Sequence, residues 1–305
     1  MIKQIPNGVY PTMITPFTKD NKIDYNAVLE LLDWYVSRGV AGIFAICQSS
    51  EIFFLEFDER LELLKFIMKH KPASLTVVAS GNTADTLDRQ IYEANAFIET
   101  GIDAYVFISN RLAKQDESDE ILLKNLEYAV SKLPEIGFGI YECPFPYKRL
   151  LSPYVLSELV KTGRFLFLKD TCCELRQIEA KLAATKNGGL KIFNANAATL
   201  LESLKLGCAG YSGVMANFHP ELYADLCACY AAEPERAKTL QDFVGFFSVA
   251  EYQCYPVNAK YYLQLEGLDL NIDSRARNKA EFTSSRRMEI EQMRNLTRLF
   301  KSTVL

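Results

Sequence analysis

The hydrophobic and polar positions of the chain repeat a two-part pattern. Short runs rich in β-branched and aromatic residues alternate with longer segments in which apolar residues recur at helical spacing. The short runs predict strands at residues 8–15, 41–46, 75–80, 103–108, 137–141, 165–169, 191–194 and 209–214. The longer segments predict helices between Asp24 and Gly39 and near residues 57–70, 84–99, 118–132, 153–162, 174–186, 196–206 and 219–231.

This alternation predicts an α/β fold, a single TIM (β/α)₈ barrel. Eight strand–helix units of roughly 28 residues each suit a barrel of ordinary size, and the helices supply the right-handed crossovers that parallel strands need. An open doubly wound sheet is the rival architecture. It would more often show a glycine-rich phosphate turn, and neither GxGxxG nor GxxxxGK[ST] occurs in the chain.

Residues 232–305 break the alternation. The stretches "PERAKTLQDFVGFFSVAEYQ", "PVNAKYYLQLEGL" and "SSRRMEIEQMRNLTRLFKS" all have helical patterns. We therefore expect a barrel domain over residues 1–231 and a C-terminal helical extension over 232–305 that packs on the barrel. The last stretch is expected to present one apolar face made of Met288, Ile290, Met293, Leu296 and Phe300.

Composition and charge limit the classes of partner. The chain has 305 residues, 49% of them hydrophobic, and a net charge of −4. An acidic balance disfavours a nucleic-acid surface, which needs a basic patch. No apolar run approaches the ~18 to 20 residues of a membrane span, and the opening "MIKQIPNGVYPT" has no apolar signal core. These features indicate a cytoplasmic protein with neither a nucleic acid nor a membrane as partner.

Cysteines and histidines do not form a metal-binding pattern. Eight cysteines are scattered without a CxxC pair, and only two histidines are present, which disfavours a zinc site. Buried, reduced thiols are the ordinary interpretation. Three cysteines follow strands that carry candidate chemistry, and a thiol-lined rim of the site is a further hypothesis for Cys47, Cys143 and Cys172.

In a barrel, chemistry gathers at the carboxyl ends of the strands. Strand 6, "FLFLK", ends at Lys169, and alternation puts Lys169 on the same side as Phe165 and Phe167. If these phenylalanines fill the barrel, Lys169 points into its mouth. Burial there lowers the pKa of a lysine, and a neutral amine attacks carbonyls to form imines. A lysine that ends a strand and extends to water is the alternative.

Three other strand ends carry groups that complement Lys169. Tyr141 ends strand 5 on the side that faces Lys169, and a phenol beside an amine can move protons while an imine forms. The hydroxyls and backbone N–H groups of the turn after strand 2 suit a carboxylate. The candidate binding residues are Gln48, Ser49 and Ser50 of "CQSSE" and Ser212 of "SGVMANF". A core tyrosine and an ordinary polar loop remain the alternatives for these positions.

The chain resembles the family of dihydrodipicolinate synthase and N-acetylneuraminate lyase, which are class I aldolases. The resemblance covers about the whole chain and rests on the stretches "GVYPTMITPF", "DYNAVLELLDWYVSRGVAGIF", "FDER", "YECP", "FLFLK", "GYSGVMANFHPELY" and "YPVNAKYYLQLEGL". It implies a TIM barrel with a C-terminal helical extension, assembled as a homo-oligomer, usually a tetramer and otherwise a dimer. It also implies an imine between the strand-6 lysine and a 2-oxo acid, most often pyruvate.

Carried over residue by residue, the resemblance puts the Schiff-base lysine at Lys169. The proton-moving tyrosine of "YNxP" falls on Tyr141, and the carboxylate-binding loop "GxxGE" falls on "CQSSE", with Gln48 and Ser49 in its centre. No metal or organic cofactor is implied.

The same comparison of motifs shows several departures. Cys47 and Ser50 replace both glycines of the loop, and Gln48 stands where the synthases have a relay threonine. No tyrosine occurs in "ISNRLAKQDE", where the synthases lend a second relay tyrosine to a neighbouring subunit. Pro146 occupies the position of the arginine that binds the second substrate, and Glu142 replaces asparagine. These departures indicate an enzyme other than a true dihydrodipicolinate synthase.

We therefore expect a Schiff-base-forming aldolase or lyase that acts on pyruvate or a related 2-oxo acid together with an unidentified aldehyde or sugar-acid substrate. Dehydration of a sugar acid or hydroxy acid through the same imine is one alternative. A barrel that binds a 2-oxo acid without turnover is another, from a different functional class.

Overall fold

The computed structural model describes residues 2–304, and eight parallel strands form its centre. They are β1 (Gly8–Val9), β2 (Gly42–Phe44), β3 (Thr76–Ala79), β4 (Ala104–Ile108), β5 (Gly137–Tyr141), β6 (Phe165–Asp170), β7 (Lys191–Asn194) and β8 (Gly210–Tyr211). Their hydrogen-bonded order is β1-β8-β7-β6-β5-β4-β3-β2. A parallel bridge between Thr12 and Phe44 joins the two ends of this series. The chain is therefore a nearly closed TIM barrel, as its alternating pattern predicts.

The contact between the first and last strands requires a glycine. Gly8 pairs with Gly210 in the register of β1 and β8. A Cβ atom on Gly210 would lie 1.8 Å from the carbonyl oxygen of Gly8, and the backbone of Gly210 has a φ of +156°. Only a residue without a side chain fits here, so Gly210 allows the two strands to meet.

Helices follow the strands around the outside of the barrel. They are α1 (Tyr25–Ser37), α2 (Phe57–His70), α3 (Leu87–Ile98), α4 (Asp119–Lys132), α5 (Pro153–Lys161), α6 (Leu175–Thr185), α7 (Leu200–Leu206) and α8 (Pro220–Cys229). Asp24 caps α1 by accepting the backbone N–H of Ala27 at 3.1 Å.

Several elements are shorter than their patterns predict, each for a local reason. The first strand ends at Val9 because Pro11 has no N–H to donate; its carbonyl oxygen accepts the N–H of Phe44 at 2.9 Å. The helix expected from residue 196 begins at Leu200. The side chain of Asn196 first accepts the N–H of Thr199 at 3.0 Å, and this turn competes with the helix.

The segment after α8 forms three α-helices and two short 3₁₀ helices, Ser248–Tyr252 and Lys279–Glu281. The α-helices are α9 (Pro234–Phe247), α10 (Val257–Leu265) and α11 (Ser284–Val304). The continuous helix expected over residues 234–253 is wrong in its second part, because α9 ends at Phe247 and a 3₁₀ helix spans Ser248–Tyr252. The Ser248 hydroxyl donates to the carbonyl oxygen of Gly245 at 2.7 Å, a contact that competes with the backbone hydrogen bonds of α9.

The extension packs on the barrel through one apolar cluster. This cluster joins buried side chains of α7 and α8 with side chains of α9, α10 and α11. The apolar face predicted for α11 is wrong at Met288 and Leu296, which are 57% and 49% exposed, whereas Ile290 and Met293 are buried. Between residues 2 and 304, no helix has both the length and the apolar character needed to cross a membrane.

Candidate active site

The carboxyl ends of the strands open into a cavity of about 700 Å³. Its wall combines the loops after β2, β5, β6, β7 and β8 with two segments of the C-terminal extension. The side chains most relevant to chemistry there are Gln48, Ser49, Tyr141, Lys169, Glu251 and Tyr255. The cavity thus collects residues from distant parts of the chain at one end of the barrel.

Lys169 projects into this cavity from β6. Phe167, two residues earlier, stacks on Phe193 with the ring centroids 4.6 Å apart and fills the barrel below the lysine. Lys169 is only 4% exposed. Burial lowers the pKa of the Lys169 amine, and among residues 2–304 no carboxylate lies within 4.0 Å of its Nζ. These surroundings favour the neutral, nucleophilic form of the amine.

Tyr141 lies directly beside Lys169. The two residues pair in the register of β5 and β6, and Nζ of Lys169 lies 4.3 Å from the centroid of the Tyr141 ring. The Tyr141 hydroxyl donates to Oε1 of Gln48 at 3.4 Å. Burial holds the pKa of Tyr141 well above its usual value, so the phenol stays protonated near neutral pH. Tyr141 can therefore donate a proton, while the amide oxygen of Gln48 accepts a hydrogen bond but carries no proton to pass on.

The two serines of the loop after β2 have different roles. Ser49 lines the cavity, and its hydroxyl donates to that of Thr12 at 3.0 Å. The Ser50 hydroxyl is directed into the protein, where it lies 2.6 Å from the Met13 carbonyl oxygen and 2.7 Å from that of Ala45. Ser50 therefore holds the loop against the barrel, and only Ser49 is placed to meet a ligand.

Ser212 does not reach the cavity. It is fully buried after β8, and its hydroxyl has no hydrogen-bond partner among residues 2–304. The cavity wall is formed by the next two residues, Gly213 and Val214.

Glu51, the last residue of "CQSSE", connects the loop to the extension. Its backbone is left-handed, with a φ of 62°. One carboxylate oxygen accepts Nζ of Lys260 at 3.0 Å, and the other accepts the backbone N–H groups of Arg275 and Ala276 at 2.6 and 2.8 Å. These charge-assisted hydrogen bonds fix a segment of the extension over the cavity.

Tyr255 is a site residue that the sequence reasoning did not identify. It lines the cavity, and its hydroxyl accepts Nδ2 of Asn217 at 3.1 Å. Because that amide can only donate, the phenolic proton of Tyr255 is free for an acceptor, and the hydroxyls of Ser49 and Thr12 lie next to it. Three hydroxyls thus meet at one side of the cavity. The stretch "YPVNAKYYLQLEGL" contained Tyr255, but its pattern gave no sign of which way the side chain points.

Glu251 is the second residue that the sequence reasoning missed. It belongs to the 3₁₀ helix Ser248–Tyr252 and lines the cavity on the side of the extension. Burial raises the pKa of its carboxyl, although the nearby charge of Lys169 opposes this shift. A pattern that predicts one continuous helix over residues 234–253 provides no reason to single out Glu251.

The three thiols of the predicted rim are buried and lie outside the cavity wall. Burial raises the pKa of Cys143 to about 11 and that of Cys172 to about 12, so both remain thiols. Cys173 and Cys254 line the cavity instead. Across residues 2–304, no three histidine, cysteine, aspartate or glutamate side chains are grouped so as to hold a metal ion.

Comparison with known proteins shows which family this chain belongs to. The model of the dihydrodipicolinate synthetase family matches residues 5–281. The chain belongs to the dihydrodipicolinate synthetase family. This family comprises class I aldolases and lyases, so the chain is an enzyme of that class. A curated member, the 4-hydroxy-tetrahydrodipicolinate synthase of Pseudoalteromonas atlantica, is 24% identical over 263 residues, which cover 86% of this chain and 88% of that protein.

Solved structures of the dihydrodipicolinate synthetase family and related aldolases share the fold. The sialic acid aldolase of Ruminococcus gnavus superposes with a TM-score of 0.87 at 19% identity, covering 99% of this chain and 100% of that one. A prophage protein of E. coli K12, which belongs to the dihydrodipicolinic acid synthase family and was crystallised in complex with pyruvate, gives a TM-score of 0.85 at 18% identity, covering 97% and 98%. At such identities the likeness concerns the fold.

Within this member of the dihydrodipicolinate synthetase family, Glu142 has a structural partner. Nζ of Lys181 on α6 lies 2.5 Å from Oε1 of Glu142 and 2.5 Å from Oδ2 of Asp170, and all three side chains are buried. Glu142 also accepts the backbone N–H groups of Leu151 and Thr171 at 2.8 and 2.9 Å. The buried ion cluster of Glu142, Asp170 and Lys181 therefore connects β5, β6 and α6 directly behind Tyr141 and Lys169.

The mouth of the cavity in this family member carries different cations from those of the synthase motif. Pro146 does not line the cavity, and of the two nearest basic residues only Lys148 does. Arg149 is used elsewhere, with its guanidinium 2.7 Å from the Lys114 carbonyl oxygen and 3.1 Å from Oδ1 of Asp119. Arg277 of the extension also lines the cavity and is exposed.

Proposed function

We propose that this enzyme forms a Schiff base between Lys169 and pyruvate or a related 2-oxo acid, and makes or breaks a carbon–carbon bond through that imine. The main support for this proposal is the buried amine of Lys169. It faces the cavity 4.3 Å from the Tyr141 ring centroid and has no carboxylate partner within residues 2–304. Membership of a family of class I aldolases and lyases supports this reaction type. The pyruvate complex of the E. coli relative supports the substrate class.

The proposed chemistry starts with attack of Nζ of Lys169 on the keto carbon. The resulting carbinolamine loses its hydroxyl as water, and the protonated Tyr141 phenol is placed to supply the proton. The cationic imine then withdraws electrons from the adjacent carbon–carbon bond. Ser49, Tyr255 and backbone N–H groups of the loop after β2 are suited to hold the substrate carboxylate.

Borohydride reduction in the presence of pyruvate tests the proposal. We expect a stable mass increase on the peptide that contains Lys169, because the buried amine is neutral enough to react. Lys148 provides an internal control, since it lines the same cavity but is exposed, with its Nζ 2.6 Å from the Thr171 carbonyl oxygen. Labelling of Lys148 in place of Lys169, or no labelling with any of several 2-oxo acids, would contradict the proposed imine.

We further propose that condensation of pyruvate with aspartate semialdehyde is slow. The Tyr141 hydroxyl donates to the amide oxygen of Gln48, which has no proton to pass on to a further group. Pro146 supplies no guanidinium to bind the carboxylate of the aldehyde. Losing one charge-assisted contact of about 1.5–3 kcal/mol lowers affinity for that substrate roughly ten- to a hundredfold. A steady-state assay decides the matter. A kcat/KM of about 10⁴ M⁻¹s⁻¹ or more would show that Lys148, Arg277 or other groups replace the missing ones.

A further inference from the structure

The hydroxyl of Tyr255 is held from behind by Asn217, a fully buried residue of the loop after β8. Nδ2 of Asn217 lies 3.1 Å from the Tyr255 hydroxyl oxygen. It also lies 2.9 Å from the carbonyl oxygen of Thr12 and 3.0 Å from that of Val214. Backbone carbonyl oxygens only accept hydrogen bonds, so the side-chain atom that faces them is the NH₂ group. The two carbonyls therefore fix which way the amide of Asn217 is turned.

A contact on the other side of this amide has the same effect. The hydroxyl of Tyr35, a fully buried residue of α1, donates to Oδ1 of Asn217. Turning the amide over would place Oδ1 against two carbonyl oxygens, and burying unpaired acceptors is costly. The amide consequently presents only N–H protons to Tyr255. The hydroxyl proton of Tyr255 must then point away from Asn217, toward the cavity that Tyr255 lines.

Of the three hydroxyls that meet on this side of the cavity, that of Tyr255 is the best placed donor. The Ser49 hydroxyl donates to the Thr12 hydroxyl at 3.0 Å, and Thr12 itself is fully buried. Burial raises the pKa of Tyr255, so the phenol keeps its proton at neutral pH. The proton that this side of the cavity offers to a bound oxygen is therefore the phenolic proton of Tyr255.

The group of three hydroxyls borders the same part of the cavity as the Lys169 amine. Thr12 forms a parallel bridge with Phe44, and Nζ of Lys169 lies 5.8 Å from the centroid of the Phe44 ring. In a 2-oxo acid the carboxylate is bonded directly to the keto carbon. A group that binds this carboxylate therefore has to lie near the amine that attacks the keto carbon, and Tyr255 satisfies this condition.

We propose that Asn217 is a positioning residue that directs the Tyr255 hydroxyl toward the carboxylate of the bound 2-oxo acid, and that Tyr255 makes the cavity selective for an acid over its neutral ester. This inference rests on the proposed imine and adds a source of its substrate selectivity. Tyr255 touches the substrate, whereas Asn217 acts through Tyr255. A charged carboxylate oxygen accepts a stronger hydrogen bond than an ester oxygen, so one directed donor favours the acid.

Borohydride trapping at increasing ligand concentration tests the role of Tyr255, because it gives both a half-saturating concentration and a maximal rate. For Tyr255→Phe we expect the half-saturating concentration of pyruvate to rise about ten- to a hundredfold. The maximal rate should fall by at most about threefold, since Lys169 and Tyr141 are unchanged. With methyl pyruvate as the ligand, the half-saturating concentration should rise by at most about fivefold, because the ester is neutral. Tyr154→Phe, at an exposed position of α5, is the matched control.

Asn217→Asp tests the positioning role. Aspartate keeps the shape of the side chain but presents an acceptor to Tyr255, so the phenolic proton turns away from the cavity. The half-saturating concentration of pyruvate should rise as it does in Tyr255→Phe, although the phenol is still present. The double variant should stay within about threefold of Tyr255→Phe alone, because both changes remove the same hydrogen bond. Asn187→Asp, exposed between α6 and β7 at the other end of the barrel, is the control for the added charge.

Three results would overturn this inference. They are a half-saturating pyruvate concentration that Tyr255→Phe leaves unchanged, equal losses for pyruvate and methyl pyruvate, and effects of the two substitutions that multiply in the double variant. Multiplying effects would mean that Asn217→Asp acts by repelling the substrate or by loosening the fold. The comparison of pyruvate with methyl pyruvate needs no change at Asn217, so it decides the role of Tyr255 even if Asn217→Asp does not fold. Absence of trapping in the unaltered enzyme with any 2-oxo acid would instead overturn the proposed imine.

Discussion

Lys169→Met and Lys169→Arg are both expected to abolish the pyruvate adduct and to lower the exchange of the pyruvate methyl protons with D₂O by at least about 10³-fold. Methionine has no nucleophilic nitrogen, and the guanidinium of arginine stays protonated at the pH of the assay. The two variants differ in their expected stability. Methionine removes a buried amine whose protonation is costly and which lacks a carboxylate partner, whereas arginine places a permanent charge at the same position. Lys169→Met is therefore expected to be more stable than the unaltered enzyme by about 0.5–2 kcal/mol at pH 7.

The direction in which the stability gain of Lys169→Met changes with pH distinguishes the removal of a buried amine from a simple packing effect. Burial lowers the Lys169 pKa in the folded state from its ordinary value of 10.5. The loss of stability caused by burying the Lys169 amine is fully present below its pKa in the folded state. It disappears as the pH rises above 10.5, the pKa in the unfolded state. The advantage of Lys169→Met in thermal unfolding should therefore shrink between pH 7 and pH 10. A variant that retains the adduct, or an advantage that grows with pH, would show that Lys169 is not the buried amine described here.

Lys181→Met is expected to lower the free energy of unfolding by about 3–5 kcal/mol. The change leaves Glu142 and Asp170 buried beside each other without their cation, although methionine fills most of the space. Lys186→Met, at the exposed end of the same helix, is the control and should stay within about 0.5 kcal/mol of the unaltered enzyme. Denaturant unfolding of the two variants measures the difference.

The stability loss expected for Lys181→Met depends on pH because Glu142 titrates. Burial and the neighbouring Asp170 raise the Glu142 pKa to about 7 even with Lys181 present. Removing Lys181 raises it further, so mild acid protonates Glu142 and relieves the repulsion between the two carboxylates. The stability deficit of Lys181→Met should therefore be smaller at pH 5 than at pH 8. A deficit below about 1 kcal/mol at pH 8 would mean that water or a rearranged side chain replaces the lost cation.

The barrel was predictable because its determinants are local. Strand runs and helical periodicity follow directly from neighbouring residues, and Lys169 and Tyr141 fall at the ends of consecutive strands that pair in register. Because consecutive strands of a barrel pair with each other, the predicted fold is enough to predict that these two side chains are adjacent. The confirmed family membership agrees with the motifs that carried the resemblance.

The rest of the cavity was not predictable because it depends on contacts between distant segments. Glu142 departs from the family motif, and its partner Lys181 lies 39 residues further along the chain. Glu251 and Tyr255 enter the cavity only because α9 ends at Phe247 and the chain then turns, which the apolar spacing of residues 234–253 does not reveal. Ser50 looks like a ligand-binding hydroxyl in sequence, yet its proton is used by a backbone carbonyl of the barrel.

The connection of Glu51 to residues 275 and 276 has a consequence for biosynthesis. A ribosome releases all eight strands of the barrel by Tyr211, including Lys169, whereas the residues that Glu51 engages emerge later. In the interval, the loop after β2 presents a carboxylate without its partners, and the amine of Lys169 lacks the part of its cover that comes from residues 251–277. A nascent chain stalled before residue 251 would carry a more solvated, more protonated and less reactive lysine. Under the proposed function, the competence to form an imine is therefore acquired late in translation, when the barrel is already available to fold.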